Sequence, residues 1–334
     1  MPTEQEILKV IRKIVPNSKS YLFDDAAIVA CPRQVRLRRK KNLIVTTDTL
    51  VENTHFILKT YTPEEIGWKA MAVNLSDIAA MGGKPLYALV SLSLPKKIVR
   101  AGLAPAHLLT WIKRLYKGLI NCAKKYKTQI IGGNLAKSRE INITITVIGK
   151  IVRVGLKPTR TKSAPIGKRS NAKPGDLVFT TGTFGDTAAQ NYKTKIFPQI
   201  NLGQKIVRAC LKHAPALMDA SDGLADCLIQ ISNQSNVKII VDEEKIPVAA
   251  GFSATGRPAS GGKPAATSPL HLALYGGEDY QLVGTASEFD CKKLMKLKGI
   301  KIIGKVIKGK GAFLKQNNNK VVKLDMKKTF KHFL

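Results

Sequence analysis

Apolar and polar positions follow two different periods along this chain, and these periods predict strands and helices in turn. Residues 141–148 alternate strictly between apolar and polar side chains, which is typical of a half-buried strand. Thr62, Pro63 and Glu65 form an N-cap, a first-turn proline and a capping box. They predict a helix that runs to Met81 and stops at the following glycine pair. A second amphipathic helix is predicted from about residue 105 to residue 126.

Shorter apolar runs predict the other elements of a first half. Residues 7–14 show a helical period, and residues 26–31 and 43–46 predict two antiparallel strands across a basic tip at 36–41. Residues 86–94 predict a strand that Pro95 ends. Residues 129–134 predict a short strand that ends in a double-glycine turn at Gly132 and Gly133.

A second half follows a basic, turn-rich linker at 153–173 that has no hydrophobic period. Strands are predicted at 177–181, 216–219, 237–242, 301–307 and 320–324, and helices at 203–213 and 223–235. Residues 253–269 are rich in Gly, Pro, Ala and Ser, which predicts a flexible surface loop. The fold class is therefore α/β (α+β), with domains at 1–152 and 153–334.

The charge of the chain raises the question of a nucleic-acid partner. The 334 residues carry a net charge of +32, but the basic residues are spread along the chain and only 6% of residues are aromatic. No helix-turn-helix or zinc-finger pattern accompanies the charge. Attraction of a small polyanionic substrate explains it equally well, so nucleic acid is not the expected partner.

The apolar segments are far too short to span a bilayer, so no membrane partner is expected. The N-terminus is acidic where a secretory signal would be basic, which favours a cytoplasmic protein. Five cysteines stand far apart without a Cys-x-x-Cys pair, and buried reduced thiols are the expectation.

Acidic residues occur in several short clusters, and each cluster lies close to a predicted strand or helix end. One follows a buried apolar run as Thr46, Thr47 and Asp48, and others contain Asp25, Asp77 and the pair Asp219 and Asp222. Oxygen-rich ligand sets suit magnesium, so a fold that brings these loops together would form a cation site. Any one cluster taken alone could equally consist of solvated turn residues.

Six blocks in order give the sequence a family resemblance. They are Asp24 to Ala27, Thr47 to Phe56, Asn74 to Gly82, Arg169 to Asp176, Asp219 to Leu224 and Gly276 to Tyr280. Their order and spacing resemble thiamine-monophosphate kinases, which share a superfamily with aminoimidazole ribonucleotide synthetase, selenophosphate synthetase and a hydrogenase-maturation protein. The resemblance covers roughly residues 20 to 285.

The resemblance implies a two-domain fold like that of aminoimidazole ribonucleotide synthetase, with an N-terminal sheet domain that forms a homodimer and a C-terminal α/β domain. It implies magnesium-assisted, in-line phosphoryl transfer from ATP to thiamine monophosphate, with several Mg²⁺ ions. The implied magnesium ligands are Asp25, Thr46, Thr47, Asp48, Asp77, Asn134, Asp219 and Asp222. The implied ATP contacts are Gly133, Asn134, Arg169 and Ser221. The implied substrate contacts are His55, Glu278 and, as a candidate for the substrate-stacking aromatic near the C-terminus, Phe330.

Some of these assignments have simple alternatives. His55 could be a structural histidine at a strand end, Glu278 could cap a turn, and Arg169 lies in a generally basic linker. Asn134 stands where the family pattern has an aspartate, so a neutral amide replaces an anionic ligand. A related ATP-using enzyme of the superfamily and a non-catalytic nucleotide-binding protein stay open as alternatives to the kinase.

Overall fold

The computed structural model describes residues 25–30, 42–95, 105–152, 166–210, 212–249 and 268–329. The predicted N-terminal helix, the basic tip, Phe330, residues 153–165 of the linker and nearly all of the 253–269 loop lie outside these ranges. Among the described residues, no helix combines the length and the apolarity that crossing a bilayer requires. Cys122, Cys210, Cys227 and Cys291 are free and buried, as predicted.

The first sheet has five strands in the order β1-β2-β5-β3-β4. They are β1 (Ala27–Ala30), β2 (Asn42–Val51), β3 (Gly83–Pro95), β4 (Gln129–Ser138) and β5 (Asn142–Ile151). β1 and β2 are antiparallel, as predicted, and β4 pairs in parallel with β3 at the edge of the sheet.

The predicted double-glycine turn is wrong, because β4 continues through Gly133 to Ser138. A Cβ atom at Gly133 would lie 1.7 Å from the carbonyl oxygen of Val90 on β3. Glycine is therefore required there by the close approach of two strand backbones, which the sequence pattern does not distinguish from a turn.

Two long helices lie on one face of this sheet, α1 (Pro63–Ala80) and α2 (Pro105–Lys125). The predicted capping box of α1 is confirmed, since Thr62 and Glu65 each accept a hydrogen bond from the backbone N–H of the other. The helices approach closely at Gly67, where a Cβ atom would lie 2.1 Å from the carbonyl oxygen of Leu115.

The second sheet has seven strands in the order β12-β11-β8-β10-β6-β9-β7. They are β6 (Asp176–Thr181), β7 (Ala216–Asp219), β8 (Lys238–Asp242), β9 (Leu282–Ser287), β10 (Ile300–Ile307), β11 (Gly311–Lys315) and β12 (Val321–Lys323). Strand β11 was not predicted from the sequence. The helices of the second half are α3 (Asp186–Ala189), α4 (Ile200–Ala209), α5 (Leu224–Ser235), α6 (Pro269–Tyr275) and α7 (Glu288–Leu294).

Two hydrophobic clusters fill the interior, and one of them joins the two halves. It contains the apolar residues of α1 and the first sheet together with Leu217 of β7 and Leu282 of β9. Gln204 of α4 also donates a hydrogen bond to the carbonyl oxygen of Gly83, at 2.9 Å. This shared packing brings the end of β7 against the C-terminal part of α1.

Candidate active site

Three carboxylates meet where the two halves pack together. Asp25 lies just before β1, Asp77 lies near the end of α1, and Asp219 is the last residue of β7. One oxygen atom from each carboxylate lies within 4.8 Å of the others. We call these three residues the carboxylate cluster.

Burial and mutual repulsion make the charged state of this cluster unfavourable. Burial raises the pKa of Asp77 well above its ordinary value, and the charges of Asp48, Asp219 and Asp25 raise it further. Burial likewise raises the pKa of Asp219, with Asp25 as the next cause. A cation between these carboxylates would remove both effects.

The hydrogen bonds within the cluster leave Asp25 Oδ2 available to such a cation. The Thr46 hydroxyl donates to Asp77 Oδ2, and Arg169 Nη2 lies 2.5 Å from Asp25 Oδ1. Asp25 Oδ2 is buried and has no hydrogen-bond partner among the residues that the structure describes. Carboxylate and hydroxyl oxygens are the donors that Mg²⁺ prefers, so these residues fit the ion.

Asp48 and Asp222 lie beside the cluster rather than within it. The backbone N–H of Asp48 donates to Asn74 Oδ1 at 2.9 Å, which fixes the end of β2 against α1. Both carboxylates are more exposed than Asp219, and both contribute to raising the pKa of Tyr280, after burial and Glu278. They therefore belong to the same acidic region as the cluster.

Arg169 contacts side chains from both halves of the chain. It bridges Asp25 and the side-chain oxygen of Gln230, and Gln230 in turn donates to Asp226 Oδ2 at 2.7 Å. In this arrangement the guanidinium supplies a positive charge to the cluster from the second half of the chain.

The structure does not bring Thr47, Gly133 and Asn134 into the cluster. The Thr47 hydroxyl contacts the Thr146 hydroxyl at 3.1 Å, on the sheet face opposite α1 and α2. Strand register places Gly133 level with Asp48 but three strands away, at about 14 Å for ordinary strand spacing. Asn134 lies beside it on the same edge strand. Within one chain, these three residues are separate from the carboxylates.

Glu278 lies in a second polar site beside the cluster. Both of its carboxylate oxygens lie 2.8 Å from Lys69 Nζ, and the same ammonium donates to the carbonyl oxygen of His55 at 2.9 Å. His55 Nδ1 accepts the backbone N–H of Val51 at 3.0 Å, so the histidine also fixes the turn after β2. We call Lys69, Glu278 and His55 the Glu278 pocket.

The turn that carries Glu278 pairs with the turn that carries Ser221. The N–H of Glu278 donates to the carbonyl oxygen of Ser221 at 2.5 Å, and the N–H of Tyr280 donates to that of Ala220 at 2.9 Å. Glu278 and Tyr280 adopt left-handed φ angles of 57° and 49°. Non-glycine residues in this region are strained and are held by their surroundings, as is common at functional sites.

Asp279, the neighbour of Glu278, has a structural role. Its carboxylate accepts the backbone N–H of Gly185 at 2.9 Å, just before α3. Burial raises the pKa of Asp279 to about 6, and the backbone N–H groups of Gly185 and Thr187 oppose the rise.

Comparison with known proteins identifies the family of this chain. The family described as "AIR synthase related protein, N-terminal domain" matches residues 23–151. A thiamine-monophosphate kinase of Aquifex aeolicus is 34% identical over 289 residues, which cover 82% of this chain and 84% of that protein. The chain belongs to the thiamine-monophosphate kinase family.

Solved structures agree with that assignment. The structure described as "AaThiL complexed with AMPPCP and TMP" has a TM-score of 0.77 and 30% identity, covering 99% of this chain and 97% of that one. The E. coli hydrogenase-maturation protein HypE has a TM-score of 0.64 at 17% identity, covering 96% and 97% of the two chains, and shows the shared fold alone. The predicted fold class is confirmed.

Sequence reasoning missed one residue of the site, Lys69. The apolar stripe of α1 runs through Ile66, Ala70 and Val73, and Lys69 stands on that stripe, only 6% exposed. A lysine on the buried face of a helix signals a buried anionic partner, and that signal was present in the sequence. The partner, Glu278, is 209 positions away and was not predictable from spacing.

Proposed function

We propose that this chain transfers the γ-phosphoryl group of ATP to thiamine monophosphate, which yields thiamine diphosphate and ADP. The carboxylate cluster carries the proposal, because its three acidic groups meet at one place where Arg169 pairs with Asp25 and a further cation would neutralise the remaining negative charge. A relative named thiamine-monophosphate kinase and a structural neighbour bound to AMPPCP and TMP support the choice of nucleotide and acceptor.

On the nucleotide side, Asp25, Asp77 and Asp219 would hold Mg²⁺, with the Thr46 hydroxyl orienting Asp77. When bound, Mg²⁺ neutralises phosphate charge during phosphoryl transfer. Asp48 and Asp222 would complete the ligand set at the rim. Ser221 lies between Asp219 and Asp222, and the proposal assigns it to ATP together with Arg169.

On the acceptor side, Glu278 and His55 would bind thiamine monophosphate. The acceptor is a phosphate monoester that is already anionic at neutral pH, so direct in-line transfer needs no general base. Glu278 offers a fixed carboxylate for the donor groups of the pyrimidine and for the thiazolium. The stacking role of Phe330 stays a prediction, because that residue lies outside the described part of the chain.

A homodimer would complete the first domain. The sheet face opposite α1 and α2 exposes Tyr87 by 42%, Leu89 by 37% and, at the edge, Leu135 by 71%. Apolar side chains on an uncovered sheet favour a second copy as their cover. That copy would place Thr47, Gly133 and Asn134 at the junction of two subunits. The domain boundary and the cytoplasmic location stay predictions.

Measurement of ADP release, with and without thiamine monophosphate, tests the proposed activity. The kinase releases ADP only when the acceptor and Mg²⁺ are both present. ADP release that ignores the acceptor would instead indicate another ATP-using enzyme of the superfamily. ATP binding without ADP release would indicate a non-catalytic relative. For Asp→Asn variants of the carboxylate cluster, Asp242→Asn is a matched control, because Asp242 lies on β8 and pairs with Lys245 at the surface.

A further inference from the structure

The buried ammonium of Lys69 has a restricted set of contacts. Its side chain is 7% exposed, and its hydrogen bonds go to both Glu278 oxygens and to the His55 carbonyl oxygen. The Tyr61 ring lies 5.5 Å from Nζ and closes another side. An ammonium has only three protons to donate, so these contacts use its hydrogen-bonding capacity and leave none for a ligand.

Glu278 is held from two directions. Its backbone adopts the left-handed φ of 57° and is fixed by the Ser221 carbonyl oxygen, and its carboxylate is fixed by Lys69. The carboxylate is 22% exposed, whereas Lys69 lies behind it. The exposed side of the carboxylate is therefore the side that a ligand can reach.

Lys69 also connects the two sites through one helix. It lies eight positions before Asp77 on α1, a separation of about 12 Å along the helix axis. The rigid helix thus sets the distance between the carboxylate that binds the acceptor and the carboxylate cluster.

We propose that Lys69 is a positioning residue for the phosphate acceptor: it orients Glu278 and balances its charge, and it acts on the acceptor only through Glu278. This inference rests on the proposed kinase activity. It distinguishes Lys69 from a lysine that binds phosphate directly, since a direct phosphate ligand would act independently of Glu278.

A double-mutant cycle in kcat/KM for thiamine monophosphate tests the inference. The variants are Lys69→Met, Glu278→Gln and the double variant, with Lys113→Met, an exposed lysine on α2, as the control for loss of a lysine. Lys69→Met should raise the KM for thiamine monophosphate roughly tenfold or more, because its carboxylate partner loses its orientation. The KM for ATP should stay unchanged, whereas a general loss of folded enzyme would lower the apparent kcat and leave both KM values unchanged.

The double variant decides the mechanism. If Lys69 acts through Glu278, the Lys69→Met change has little further effect on kcat/KM in the Glu278→Gln background. Additive effects, or an unchanged KM for the acceptor in Lys69→Met, overturn the positioning role.

Two further measures keep the result interpretable. Should Lys69→Met fail to fold, Lys69→Gln replaces it in the same cycle. The natural protein is assayed first: if it does not turn over thiamine monophosphate, the proposed function and this inference both fall. Normal turnover with additive effects removes the positioning role alone.

Discussion

The carboxylate cluster and the Glu278 pocket both contain carboxylates, yet their charges are balanced in different ways. In the pocket, Glu278 has a buried ammonium 2.8 Å from its carboxylate. In the cluster, Asp25, Asp77 and Asp219 face one another, with Arg169 against Asp25. The pocket is electrostatically complete in the protein alone, whereas the cluster is complete only with a further cation or with bound protons. An acidic motif therefore indicates a cation site when its carboxylates meet each other rather than a lysine.

The largest effect that separates the two regions should appear in turnover. Asp219→Asn removes one carboxylate from the proposed Mg²⁺ site, so kcat should fall roughly 1000-fold, a loss of about 4 kcal/mol of transition-state stabilisation. Steady-state ADP release at saturating ATP and Mg²⁺ measures it. Asp242→Asn should retain the natural rate, and near-natural turnover of Asp219→Asn would remove the cluster from the mechanism.

In the absence of metal, substitutions in the two regions should change the free energy of unfolding in opposite directions. Glu278→Gln leaves the Lys69 ammonium buried beside a neutral amide and should lower the free energy of unfolding by about 3 kcal/mol. Asp77→Asn relieves repulsion among buried carboxylates and should raise it by about 1 kcal/mol. Urea unfolding in a chelator at pH 7 measures both. A change of the same sign in both variants would contradict the comparison.

A third test uses Asp279, which is adjacent to the pocket but has no ammonium partner in the described part of the chain. Burial raises its pKa to about 6 in the folded protein. Its stabilising contribution is fully present below its unfolded pKa of about 4 and is lost as the pH rises through about 6. The natural protein should therefore lose about 2 kcal/mol of stability relative to Asp279→Asn between pH 4 and pH 7.

Urea unfolding of both proteins across that range checks this expectation. The difference between the two proteins removes contributions from Asp77 and Asp219, which both proteins share. A difference that does not vary with pH would show that Asp279 keeps its ordinary pKa.

The smallest expected effect is on the helix that serves both regions. Thr62→Ala removes the confirmed capping box of α1 and should lower the free energy of unfolding by about 1 kcal/mol. Because Lys69 and Asp77 both lie beyond the first turn of the helix, the KM values for ATP and for thiamine monophosphate should both stay unchanged. Thermal unfolding and steady-state kinetics measure the two expectations. A rise in one KM alone would show that the cap positions one site more than the other.

Local patterns predicted the elements that depend on local physics. The capping box fixed the start of α1, and strict alternation fixed β5, because both signals act within a few residues. The meaning of Gly133 was misjudged, because it is set by Val90 on the neighbouring strand rather than by its own sequence. Strand β11 was missed among the lysines and glycines of the C-terminal part.

The residues of the site were predicted from the family resemblance rather than from local patterns. No spacing rule brings Asp77 to Asp219, since their meeting depends on a core shared between two halves. The resemblance selected these residues, and the structure brings them together. It also assigned Asn134 and Thr47 to the metal, whereas one chain places them away from the carboxylate cluster. The resemblance did not reach Lys69, which became visible only through its contact with Glu278.

Thermal unfolding of three proteins, with and without Mg²⁺ and AMPPCP, tests whether the carboxylate cluster needs a cation and the pocket does not. The natural protein and Glu278→Gln should both unfold several degrees higher with the additions, because ligands that bind only the folded state stabilise it. Asp219→Asn should show little or no rise. An equal rise in Asp219→Asn would contradict the claim that the carboxylate cluster is the metal and nucleotide site.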